Sequence, residues 1–416
     1  MSSVGQVVMV SPIVPACTGN GLAMRAGMFL EALSEVSAVD LVVVPVSGPP
    51  DEHDWSSRLA RSVQVLNPVS GVEARPHVTA QLGDARLRAR LEAAAPLPAR
   101  AMLAPPTLAA DAACARERAS IPPAAVLALR GYLAPLGAEI AFRTNASRFV
   151  VDLDEDEEPL LRAFGEDGEA DAFHRLVRAW LPDADAVLTA SPLESDTLRE
   201  GYQLDNLVTV PNAMRPMAKT RAPKETGSHL LFVGNLTYPP NLEAASILVN
   251  DVLPLVRRRR PDATVDLVGS IAPSNVDHLG RPGVTIAGLV PDVTPWYARA
   301  AAVVVPLRHG AGTRLKVLEA FAYRRPVVAT PVAVAGLAVD DGDEVLISDT
   351  PSGLARAVTS ILDSSSLGNA IAQRAADTLE ARFVPSAVYP TLRHAVLGQN
   401  APSAMPAHPA GTAGVT

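Results

Sequence analysis

Short apolar runs that read as buried strands alternate with helical segments along this chain, and the rhythm restarts after a polar linker. VVMV (7–10) leads through a glycine-bearing loop, ACTGNG, to MRAGMFLEALSEV with helical apolar spacing, and then to DLVVVPV (40–46). Strand, glycine loop, helix, strand is the unit of parallel sheets, because a parallel return needs a crossover long enough to hold a helix. FVVDLD (149–154), ADAVLTAS (184–191) and NLVTVPNAM (206–214) continue the first half, with SPLESDTLREGY as a helix capped by Ser191. RPMAKTRAPKETGSH is charged and proline-bearing, as linkers are. HLLFVGN (229–235), ATVDLVGS, VTIAGLV, AAVVVPL and RPVVATP then read as strands of a second sheet, with NLEAASILVNDVLPLVRRRR (241–260) as a helix. Its four closing arginines suit the negative end of the helix dipole. The expectation is two doubly wound α/β domains with ligands at the carboxyl ends of the strands, in the cleft between them. Residues 50–125, with Pro–Pro pairs and Ala/Arg-rich pieces, carry no assigned chemistry.

Composition narrows the function classes. A chain of 416 residues, nearly half of them hydrophobic, is long enough for two cores. A net charge of −8 argues against nonspecific nucleic-acid binding. Two cysteines, Cys17 and Cys114, have no metal-ligand spacing and are too few for a disulfide framework. No apolar run reaches membrane-spanning length, so the expectation is a cytoplasmic protein with no integral membrane segment.

One stretch breaks a local rule. In RHGAGTRLKVLEAFAYRRPVVAT (308–330) a glycine turn opens a helix that begins with Thr313, Arg314 and Lys316. The positive end of a helix dipole disfavours cations, and a Thr cap favours Glu where Lys316 stands. Two readings compete. Lys316 and Glu319 form a surface pair, or an anion rests on the helix N-terminus and is held by backbone amides, Arg314 and Lys316.

GTRLKVLEAFAYRRPVVAT followed by AVAGL resembles the donor-binding signature of family 4 glycosyltransferases, which have the GT-B fold. VPNAM, LLFVGN and AGLVPDVTPWYARAAAVVVPL match the same family in order and spacing. The resemblance implies two Rossmann-like domains and a nucleoside diphosphate sugar as donor. It also implies retaining, hexosyltransferase-like transfer to an acceptor hydroxyl, with no cofactor and no metal. Its donor site would comprise Gly234, Asn235, Leu289, Val290, Gly310, Ala311, Gly312, Thr313, Arg314, Lys316 and Glu319, with Arg314 and Lys316 catalytic. Glu319 matches the acid that holds the ribose hydroxyls, and Ala311 stands where the family places an acid on the donor sugar. The family's basic pair after the first strand of the C-terminal domain is replaced here by Asn235 and Pro240. The TGNG loop (18–21) resembles the family's glycine loop, so Gly19, Gly21 and Arg25 are candidates for the acceptor side, and Asp154, in the acidic stretch DLDEDEE (152–158), is a separate candidate there. His309 is only a neighbour of the donor loop.

Asp152-Leu-Asp154 also looks like the metal-binding DxD of the other glycosyltransferase fold, although acids at such positions are often a solvated face. The expected limits are 1–215 for the N-terminal acceptor domain, 216–228 for the linker and 229–383 for the nucleotide-sugar domain. A helix at 384–400 would pack back on the N-terminal domain, and 401–416 would be a disordered tail. The acceptor, the base and the sugar are not encoded legibly. A sugar-nucleotide epimerase on a similar fold and a non-catalytic donor-binding partner protein remain as alternatives.

Overall fold

The computed structural model describes residues 5–44, 54–65, 122–154, 156–217, 227–310 and 314–398. The first sheet contains β1 (Gln6–Ser11), β2 (Ala38–Val43), β3 (Ser62–Val65), β4 (Ala125–Leu129), β5 (Phe149–Asp154), β6 (Ala186–Thr189) and β7 (Leu207–Thr209). Their spatial order is β3-β2-β1-β4-β5-β6-β7, with all pairs parallel. Alternate residues face opposite sides, so Val7, Met9 and Leu41 pack under one set of helices and Val8, Val10 and Val42 under the other. Burial on both faces explains why these strands read as continuous apolar runs.

The second sheet contains β8 (His229–Val233), β9 (Thr264–Val268), β10 (Val284–Gly288), β11 (Ala302–Val305), β12 (Val327–Ala329) and β13 (Leu346–Ile347), in the order β10-β9-β8-β11-β12-β13, again parallel. In both sheets the strand order reverses beside the first strand. The loops that open there follow β1 and β4 in one sheet, and β8 and β11 in the other. Such a crevice is where doubly wound sheets bind ligands.

Some expectations need correction. The helix expected at 241–260 is broken: Pro239–Ile247 passes through a π turn at Leu248–Val252 into Leu253–Arg257. Pro254 has no amide hydrogen to continue the ladder, which is the physical reason for the wider turn. Two of the closing arginines reach carbonyls outside that helix. Arg257 donates to the carbonyls of Ala263 and Pro282, and Arg260 to that of Leu362. The unassigned region supplies a short helix, Asp54–Leu59, and β3.

The two domains touch at several places. The amide of Met214 donates to the carbonyl of Phe383 at 2.7 Å. A Cβ on Gly336 would lie 2.5 Å from that of Ser191, so only glycine allows the backbones to approach so closely. The helix Pro385–Leu397 returns to the first domain, where Val388, Tyr389, Leu392 and Val396 join the core beneath β4 and β6, beside the helix Gly21–Ser34. Tyr389 donates to Glu31 and Arg393 to the carbonyl of Ala32. The expected tail at 401–416 lies outside the described residues.

Candidate functional site

The switch-point loops of the second sheet build the site. The helix Leu315–Ala322 follows β11, and its N-terminus therefore opens at the carboxyl edge. Its cap is Arg314, not Thr313, and no acid lies in its first turn. Residues 311–313 lie outside the described set, and with them the expected donor residues Ala311, Gly312 and Thr313. Gly310 has φ +133, a backbone state that favours glycine, and its carbonyl accepts from the Arg314 guanidinium. Arg314 also donates to the carbonyl of Val332 and is 9% exposed. Arg314, expected beside Lys316 as a catalytic cation, has its guanidinium on the carbonyls of Gly310 and Val332.

Lys316 points elsewhere. Its ammonium donates to Oδ1 of Asn241 and lies 5.2 Å from the centroid of the Phe232 ring. Burial, with Arg314 adding to it, pulls its pKa down to about 7. Glu319 accepts from the Tyr297 hydroxyl at 2.8 Å, so the surface pair with Lys316 is not formed: each residue has another partner. Burial raises the Glu319 pKa against the pull of that hydrogen bond. Tyr297 is itself stacked on Tyr323 at 4.2 Å, and Tyr323 meets the Thr294 hydroxyl. Asn241 and Tyr297, which orient the lysine and the acid, were missed in the sequence. Nothing about an Asn in NLEAAS or a Tyr in WYARAA marks a partner on another element.

The other expected donor residues diverge. Gly234 and Asn235 follow β8, but the Asn235 side chain caps its own turn by accepting from the amide and hydroxyl of Thr237. Gly234 is in close approach to Gly269, where a Cβ would meet the Gly234 carbonyl at 1.9 Å. Leu289 is 78% exposed beyond β10, whereas Val290 packs on the core. His309 edges onto the Phe164 ring of the first domain, with centroids 5.8 Å apart, and lies 3.7 Å from Glu243.

Across the cleft, Gly21 faces the start of the donor helix: a Cβ there would come within 3.2 Å of Leu315. Gly19 has φ +97, and Asn20 caps the helix Gly21–Ser34 by accepting from Leu22. Arg25, expected on the acceptor side, lies beneath that surface at 1% exposure. Its guanidinium contacts Asp152 at 2.6 and 2.8 Å, Asp154 at 3.3 Å, Asn212 and the carbonyl of Val210. Asp154, with φ +66, also accepts from Arg130 at 3.1 Å. Burial works against the Arg25 charge, but Asp152 and Asp154 outweigh it and raise its pKa. For Asp152, burial outweighs Arg25 and pushes the pKa up. The paired short contacts decide for an ionised pair. The DxD carboxylates are thus partnered by arginines, which a metal would have to displace.

Residues 227–364 match the family described as Glycosyl transferases group 1. The second domain is similar to that family over most of its length. Over 238 residues the chain is 30% identical to D-inositol 3-phosphate glycosyltransferase 2 of Catenulispora acidiphila, covering 51% of this chain and 53% of that one. It is 26% identical over 248 residues to D-inositol 3-phosphate glycosyltransferase of Paenarthrobacter aurescens, covering 55% and 59%. The chain thus spans little more than half the length of these curated relatives. Among solved structures it is similar to sucrose-phosphate synthase from Thermosynechococcus elongatus, with TM-score 0.69, 18% identity, and 93% and 96% of the two chains covered. It is also similar to Anabaena HepE in complex with UDP and glucose, with TM-score 0.65, 13% identity, and 93% and 97% covered. The two domains together have the GT-B fold. Among the described residues, no helix is long and apolar enough to cross a membrane.

Proposed function

We propose that this chain is a retaining glycosyltransferase that moves a hexose from a nucleoside diphosphate sugar to an acceptor hydroxyl, without a metal. The observation that carries the reading is the convergence of Lys316, Glu319 and an acid-free helix N-terminus at the switch point between β8 and β11, facing Gly21 across the cleft. In the reaction the bond from the sugar's anomeric carbon to the diphosphate breaks and a bond from the acceptor oxygen forms. The acceptor's proton passes to the departing diphosphate or to water as negative charge grows on the departing phosphate. Lys316 and the first-turn amides would stabilise that charge as it develops. Glu319, steadied by Tyr297 through Oε2, would accept from the ribose hydroxyls. The names of relatives that act on or bind sugars and UDP support this reading. A cytoplasmic location fits a nucleotide-sugar donor.

Two measurements test it. Donor turnover, followed as nucleoside diphosphate released from UDP-, GDP- and ADP-sugars, should persist in EDTA. Complete loss in EDTA with rescue by Mn²⁺ would sink the metal-free reading and return Asp152 and Asp154 to candidacy. Glu319→Gln and Glu319→Ala should weaken nucleoside diphosphate binding about 10- to 150-fold, the value of a charged hydrogen bond. Calorimetric affinities within about twofold of wild type would remove Glu319 from the ribose.

A further inference from the structure

We propose that Asn241 is a positioning residue for Lys316. It holds the ammonium over the loop after β8, which gives that loop a cation its own sequence lacks. The inference rests on the donor-site reading above and goes one residue beyond it. Asn235 and Pro240 stand where the resemblance places a basic pair. Lys316 comes from a different element, the helix after β11, yet its ammonium ends on Asn241 and over the Phe232 ring of β8. Asn241 is itself fixed at the other end of its amide, where Nδ2 donates to the Asn235 carbonyl at 2.9 Å. One buried amide therefore ties the loop to the lysine, with the donor end on the loop and the acceptor end on the cation.

The residue type suits that task. A carboxylate at 241 would hold the ammonium more strongly but would cancel its charge and repel a phosphate. An apolar side chain would leave the ammonium with no acceptor in a place where burial already disfavours it. The charged groups around Lys316 agree. Arg314, from its own segment, opposes its charge. Glu243, on the helix that carries Asn241, is directed to His309, and Glu319 to Tyr297. No carboxylate among the described residues pairs with Lys316 in competition with an incoming diphosphate.

The test is a double-mutant cycle with the full chain. UDP is titrated calorimetrically, without metal, into wild type, Asn241→Ala, Lys316→Ala, the double variant and Asn241→Asp. GDP and ADP are titrated into wild type as well, and the tightest binder is carried through the cycle. Asn241→Ala should weaken binding about 5- to 10-fold, Lys316→Ala about 10-fold or more, and the double variant no more than Lys316→Ala. Wild-type affinity should fall as pH rises through about 7 and the lysine loses its proton. In Asn241→Asp that fall should move to higher pH, because an added carboxylate stabilises the charged lysine. An equal loss from Asn241→Ala in both backgrounds overturns the positioning role and leaves the donor site standing. If Asn241→Ala does not fold, the aspartate variant decides: an unshifted pH dependence overturns the proposal. If wild type binds none of the three nucleotides, or Lys316→Ala binds like wild type, the donor-site reading falls and this inference falls with it.

Discussion

Lys316→Ala should lower donor turnover by about 10²-fold or more, on the scale of losing one preorganised donor to transition-state charge. The effect should fall on kcat as well as kcat/KM, because the cation is needed most when the diphosphate departs. The wild-type rate should also carry a signature of this residue. Its pKa is pulled down to about 7, so the charged form is complete below that pH and is lost as pH rises through it. The alkaline fall in kcat/KM should be present in wild type and absent from the residual activity of the variant. Thermal melting should change little, because burial already disfavours the ammonium that is removed. Normal turnover with an unaltered pH profile would end the assignment of this lysine to the phosphate.

Asp152→Ala should destabilise the first domain by about 3 kcal/mol. Breaking a buried ion pair typically costs roughly 3–5 kcal/mol, because the survivor is left without its counter-charge. The lower end applies here, since Asp154 still lies 3.3 Å from Arg25. The comparison that separates charge from packing is the double variant Arg25→Met, Asp152→Leu. It removes both charges and should recover most of the loss, because well-packed apolar pairs often equal buried ion pairs in stability. Urea unfolding with an unchanged slope is the measurement. A double variant as unstable as the single one would show that the pair's geometry, rather than its charge balance, holds the glycine loop against β5.

The strands were legible because burial on both faces leaves an unbroken apolar run, as in VVVV-like AAVVVPL. Asp152 and Asp266 were equally visible inside such runs, and a carboxylate there must find a cation. The sequence does not say which. Arg25 is 127 residues from Asp152, and Arg299 is 33 from Asp266. The same blindness hid Asn241 and Tyr297, whose value lies in reaching another element. The donor helix was legible from its misplaced cations, but their division of labour was not. Arg314 and Lys316 are two residues apart and therefore point to different sides of the helix start. One is folded onto the carbonyls of Gly310 and Val332 and the other over β8. The π turn was foreshadowed by Pro254, since a proline inside helical spacing always removes a donor.

The last helix, Pro385–Leu397, has a consequence for how the molecule is made. Synthesis runs from the N-terminus, and most domains condense as they emerge. Here the apolar face beneath β4 and β6 is closed by Val388, Tyr389, Leu392 and Val396. Those residues leave the ribosome after the whole second domain. Until then the β4 and β6 residues on that face, Leu127 and Leu188 among them, lack part of their cover, and Glu31 lacks Tyr389. The second domain is able to finish first, although it is made second. A chain stopped at about residue 383 should accumulate with its first domain open, sensitive to protease, while its second domain is folded. The expected order of completion is therefore the reverse of the order of synthesis, because the helix that covers the first domain is made after the second.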